Sequence, residues 1–95
     1  MIIEAPYKMG DTVSVKLGTG EEVIASMVYE DKDHLTVSKP MILVATEQGV
    51  GFAPFMFTIS PETHVKIRLN NIICVVKAAK DAADLYIKQT TGLAV

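Results

Sequence analysis

The sequence predicts a mainly β chain, a small and strongly bent barrel of five strands followed by one C-terminal α-helix. Three observations lead there. Apolar residues recur with period two in short runs divided by glycine-bearing or polar turns, which is the pattern of strands. Two of the apolar runs carry an internal proline, which suits bends and sheet edges because proline cannot donate to a ladder. The tail then changes to a helical period.

The first strand is TVSVKL, where Val13, Val15 and Leu17 alternate with Thr12, Ser14 and Lys16. GTGEE follows, and its glycines can supply the positive φ of a hairpin turn. EVIASMVYE sets Val23, Ala25, Met27 and Tyr29 on one side and Ile24, Ser26 and Val28 on the other. Both sides are largely apolar, so this strand is expected to be covered on both faces or bent through a barrel. DKDH, Asp31 to His34, reads as a polar turn. LTVSKPMILVAT reads as a long strand broken or kinked at Pro40, and EQGVG as the next turn. FAPFMFTI, Phe52 to Ile59, is strongly apolar with Pro54 inside it, as expected of an edge strand or a bulge. In SPET, Ser60 can cap and Pro61 can open a short 3₁₀ turn before strand-like sequence resumes at His64. IICVVKA is the last strand. In the helix, Asp81 is expected as N-cap, with Ala82, Leu85, Tyr86 and Gln89 on one face, Lys80, Asp84 and Lys88 at (i, i+4) spacing, and Gly92 placed for a C-cap.

No linker, repeat or low-complexity tract divides the 95 residues, so one domain is expected over 1–95, with the barrel at about 10–78 and the helix at about 80–91. An apolar content of 49% with 21% charged residues describes a folded globular chain. A domain this small gains from self-association. An apolar edge such as Phe52 to Ile59 must be covered or paired with another copy, and cyclic pairing uses up every edge, which predicts a cyclic homo-oligomer.

The formal net charge of -2 supplies no general basic field, so nucleic acid could be held only by a local patch or by symmetry concentrating a few cations. Cys74 is the single cysteine, which excludes an intrachain disulfide, fits a reducing compartment and, among apolar neighbours, suggests an inert buried thiol. No apolar run reaches the ~20 residues that cross a bilayer, and the first residues lack a basic n-region, so a cytoplasmic protein without membrane contact is expected.

An enzyme is not expected. His34 and His64 are the two imidazoles and Cys74 the one thiol, and no pair of them has metal-ligand spacing, so neither a metal nor another cofactor is implied. DKD lacks the glycine and the terminal glutamate of a calcium loop. Ser38 and Lys39 are adjacent on a strand and point to opposite faces, and GTG lies between strands and opens no helix for a phosphate.

VKLGTGEEVIASMVYEDKDHLTV, Val15 to Val37, resembles the first motif of the Sm and Sm-like proteins, including the bacterial Hfq family, through Leu17, Gly20, Val23, Met27 and Asp31. RLNNIICVV is similar to their second motif, in which Ile-Arg-Gly precedes two polar residues and an apolar strand. Ile67 and Arg68 match, Leu69 stands in place of the Gly, and Asn70 and Asn71 fill the polar positions. The two motifs cover less than half of the chain and gain their force from order and separation. SKPMIL, GFAPFMFTISPET and QTTGLAV also resemble small proteins of marine cyanophages.

The Sm resemblance implies an SH3-type barrel of five strands, rings built by edge-strand pairing, and single-stranded RNA near a central pore. It places Lys32, Asp33 and His34 in a first binding turn and Arg68, Asn70 and Asn71 in a second. His34 can stack on a base, Arg68 can stack and donate, and Asn70 can read a base edge. The implied role is an RNA, or else DNA, chaperone or adaptor in phage infection. The rival reading is a structural or protein-interaction ring without nucleic acid, favoured by nine cationic against eleven acidic residues.

Overall fold

A computed structural model describes residues 7–91. The elements are β1 (Thr12–Leu17), β2 (Glu22–Glu30), β3 (His34–Thr46), β4 (Gly49–Pro54), β5 (His64–Arg68), a 3₁₀ turn (Leu69–Asn71), β6 (Ile72–Lys77) and α1 (Lys80–Thr91). The strands are antiparallel and run β4-β3-β2-β1-β6, with β5 also paired to β3. No described helix is long and apolar enough to cross a membrane.

The count is six strands rather than five because the fourth is split. β4 lies opposite Met41 to Thr46 and β5 opposite His34 to Ser38, so both follow the same edge of β3 in succession. Between them the chain makes an excursion over residues 55–63. The break falls where β3 itself kinks. Lys39 has φ 51, and the pairing with β2 slips by one residue between Ser38 and Met41. Pro40 stays within the strand, and its carbonyl still accepts from the Phe55 N–H at 3.0 Å. The expected strand over Phe52 to Ile59 is thus corrected: the ladder begins earlier, at Gly49, and ends at Pro54. Gly49 starts β4 with φ 119, a backbone that glycine adopts without strain. Ser60 and Thr63 close a hydrogen-bonded turn, and the 3₁₀ turn lies instead at Leu69–Asn71.

The barrel core gathers Val13, Val15, Leu17, Val23, Ala25, Met27, Leu35, Val37 and Ile67, with Ile72 and Val75 packed against it. β2 is covered on both faces. Its opposite side carries Ile24 into a second cluster with Ala78 and Tyr86, where α1 lies across the sheet. Tyr86 donates its hydroxyl to the Lys39 carbonyl at 2.7 Å, which ties the helix to the kink. The helix buries Tyr86 and half-buries Ala82 and Ala83, whereas Leu85 and Gln89 are exposed, so the expected face is shifted. Asp81 lies in the first turn rather than capping it, and Lys80 pairs with Asp84 at 2.8 Å. Gly92 lies outside the described residues. Tyr29 also departs from expectation. A register slip between Met27 and Tyr29 turns it outward, where it is exposed. Cys74 is exposed, not buried, because its side of β6 faces away from the core.

Candidate functional site

The two turns singled out in the sequence meet at one end of the barrel. β3 begins at His34, β5 ends at Arg68, and the two residues are direct partners across the ladder. The turn before β3 is built by Asp31, whose carboxylate accepts the backbone N–H of Asp33 at 2.7 Å and of His34 at 2.8 Å. These two N–H bonds, of Asp33 and then of His34, hold the Asp31 carboxyl below its ordinary range, and the His34 and Lys66 side chains add to the effect. His34 Nδ1 lies 3.7 Å from the same carboxylate, so the ring's position is linked to the turn.

The turn after β5 is fixed from two sides. The Leu69 N–H donates to the Asp33 carbonyl at 2.9 Å, joining the two turns directly. The Gly18 N–H donates to the Asn71 carbonyl at 2.7 Å, and a Cβ on Gly18 would stand 3.5 Å from that oxygen. Within the 3₁₀ turn no residue has positive φ, which is why leucine is accommodated where the motif carries glycine. Its side chain is half-buried against the barrel core.

Lys32, Asp33, His34, Arg68, Leu69 and Asn70 line one hollow of about 630 Å³. Five of the six residues marked in the sequence therefore share one concavity. Asn71 lies outside the lining, and its carbonyl is engaged by Gly18. Leu69 is the lining residue that the sequence did not mark, although it stands between Arg68 and Asn70. Lys32, Asp33, Arg68 and Asn70 are exposed and His34 is half-buried. The hollow thus offers a planar imidazole, a guanidinium and an ammonium, an amide, an acceptor-only carboxylate and an apolar patch. Those are the groups with which proteins stack and hydrogen-bond an unpaired base.

A second hollow, about 270 Å³, lies between the β3 kink, the excursion over residues 55–63 and the last turn of α1. Its lining is dominated by Pro40, Met41, Pro54, Met56, Phe57 and Ile59.

No family model and no curated protein matches the chain. Among solved structures, a heptameric archaeal Sm protein superposes with a TM-score of 0.52 at 15% identity over 75% of this chain and 90% of that one. The SmAP1 heptamer of P. aerophilum gives a TM-score of 0.52 at 15% identity, over 75% of this chain and 82% of that one. The architecture is the Sm fold: a bent antiparallel sheet, here with one helix after it.

Proposed function

We propose that the chain assembles into a closed ring and binds single-stranded RNA, or secondarily DNA, in the hollow between its two turns, acting as a chaperone or adaptor rather than an enzyme. The observation that carries the reading is the pairing of His34 with Arg68, which brings both turns into one hollow. Repeating that hollow around a ring would join weak single-base contacts through effective concentration. Assembly draws support from two open edges: among the described residues β5 pairs with β3 alone and β6 with β1 alone. β6 of one copy can complete the ladder of β5 in the next. Both archaeal neighbours are heptamers.

The test is fluorescence anisotropy with short U-rich and A-rich RNA across a salt series, with light scattering on the same sample for mass. Binding by an oligomer that weakens with salt is expected. Arg68→Ala is expected to weaken it about tenfold, from the loss of one stacking and charged hydrogen-bonding group. Failure to retain any oligonucleotide at low salt, G-containing RNA included, overturns the reading. A well-formed oligomer without RNA affinity would turn attention to a protein-binding ring, a reading favoured by the 81% exposure of Phe57 on the excursion.

A further inference from the structure

Asp33 is an unusual group to find in a hollow meant for a polyanion. Asp33 is exposed and lines the hollow, and among the described residues its side chain makes no hydrogen bond or ion pair. Its backbone alone is committed, the N–H to Asp31 and the carbonyl to Leu69. The turn does not need this side chain for its own geometry; Asp31 supplies that. A free carboxylate beside the hollow repels phosphate and accepts hydrogen bonds without donating any. The part of a nucleotide that it favours is therefore an edge rich in N–H donors.

Among the four RNA bases, guanine alone places two adjacent N–H donors, N1–H and the 2-amino group, on one edge. Uracil offers a single N–H between two carbonyl oxygens, which a carboxylate repels. Adenine and cytosine each offer one amino group next to a ring nitrogen acceptor. Guanine's other edge carries the O6 and N7 acceptors that a guanidinium engages with two hydrogen bonds. Arg68 lines the same hollow, and its ladder partner His34 directly follows Asp33 in the chain. Lys32 and Asn70 remain for the flanking backbone and base.

We infer that Asp33 makes the hollow selective for guanine, with its carboxylate accepting from N1–H and the 2-amino group while Arg68 donates toward O6 and N7. This rests on the proposed binding of single-stranded RNA and adds to it the class of base. Orientation follows from charge. The base edge turns inward to the carboxylate and the phosphates stay outside, near Lys32. Of the charged groups that line the hollow, Asp33 is the one carboxylate.

The experiment compares short RNAs of alternating U and G, alternating U and inosine, and U alone, by fluorescence anisotropy on the intact oligomer. Inosine keeps N1–H, O6 and N7 and lacks only the 2-amino group. The wild-type protein is expected to bind the G-containing RNA about five- to a hundredfold more tightly than the U-only RNA, the range of a well-formed bidentate contact. It should bind the inosine RNA several-fold less tightly than the G-containing one. Asp33→Asn, which has a side chain of the same shape and can donate as well as accept, should bring the guanine-to-inosine ratio close to one. A wild-type ratio near one, with RNA still bound, overturns the assignment of Asp33 and leaves the binding function standing. A ratio unaltered by Asp33→Asn also overturns it. Loss of binding to all three RNAs in the wild-type protein removes the binding reading, and this inference with it.

Discussion

β2 and β6 carry the same message in sequence and meet different fates in the fold. EVIASMVYE and IICVVK are both apolar on two sides, where a strand with one wet face would alternate. In β2 that pattern is met within the chain. Val23 faces the barrel core with no exposure, and Ile24 faces α1 with 1%. In β6 it is met by half. Ile72 and Val75 pack on the core, while Cys74 and Val76 face outward opposite Lys16 and Ser14, and Ile73 is left 67% exposed at a register slip. β2 also has a partner on each edge, β1 and β3, whereas β6 has β1 alone. The difference teaches that an apolar strand can be explained by its own chain or by a surface that the chain leaves for another copy.

The comparison breaks most sharply under the helix. Ile24→Ala opens a cavity where β2 is covered by Tyr86 and Ala78, and about 2–5 kcal/mol of unfolding free energy should be lost in urea titration. A loss below 0.5 kcal/mol would mean that α1 does not cover β2 in solution. Tyr86→Phe is the next step down. It removes the hydroxyl that donates to the Lys39 carbonyl at 2.7 Å and should cost about 1 kcal/mol by the same measurement.

Tyr86 also has a pH signature. Burial pushes its phenol from 10.0 up to about 12. Below the unfolded value both states hold the proton and its contribution to stability is intact. As pH rises from about 10 toward 12 the unfolded chain releases the proton before the folded one, so stability falls. Tyr7, raised to about 12 by burial and by its hydrogen bond to Glu30, falls in the same sense in both proteins. Tyr86→Phe should therefore flatten the alkaline loss without abolishing it. An identical slope in the two proteins would place the Tyr86 hydroxyl in water.

The strand pattern was legible where covering elements follow from local order. β1 alternates because one face is wet, and β2 is apolar on both faces because barrel and helix enclose it. The nearness of the turns at His34 and Arg68 is what the Sm resemblance implies; the residues alone show no strand ending at Arg68, and the β3–β5 ladder supplies the physical reason. What could not be read was decided by long-range register. Phe52 to Ile59 looked like one strand, but the slip at Lys39 and Pro40 cuts the ladder at Pro54 and releases Phe55 to Ile59 into the excursion. Cys74 looked buried by its neighbours, yet it faces out because pairing with Lys16 puts it on the outer side of the sheet. Leu69 stands where the second motif has glycine, and the 3₁₀ geometry removes the positive φ that glycine alone adopts without strain.

The smallest change in the stability of a single copy is expected at β6, and it separates the two strands most clearly. Val76 is 51% exposed and its side chain faces away from the core, so Val76→Lys replaces an already wetted methyl surface with a charge beside Ser14. Measured on dilute protein in which wild type and variant are both single copies, unfolding should shift by no more than ~0.5 kcal/mol. At higher concentration the same variant should lower the mass seen by light scattering, because an edge strand bearing lysine is a poor template for another strand. Loss of mass without loss of fold would assign the outer side of β6 to a second copy. An unchanged mass would instead assign assembly elsewhere, and the 42% and 81% exposed Met56 and Phe57 of the excursion are then the next surface to substitute.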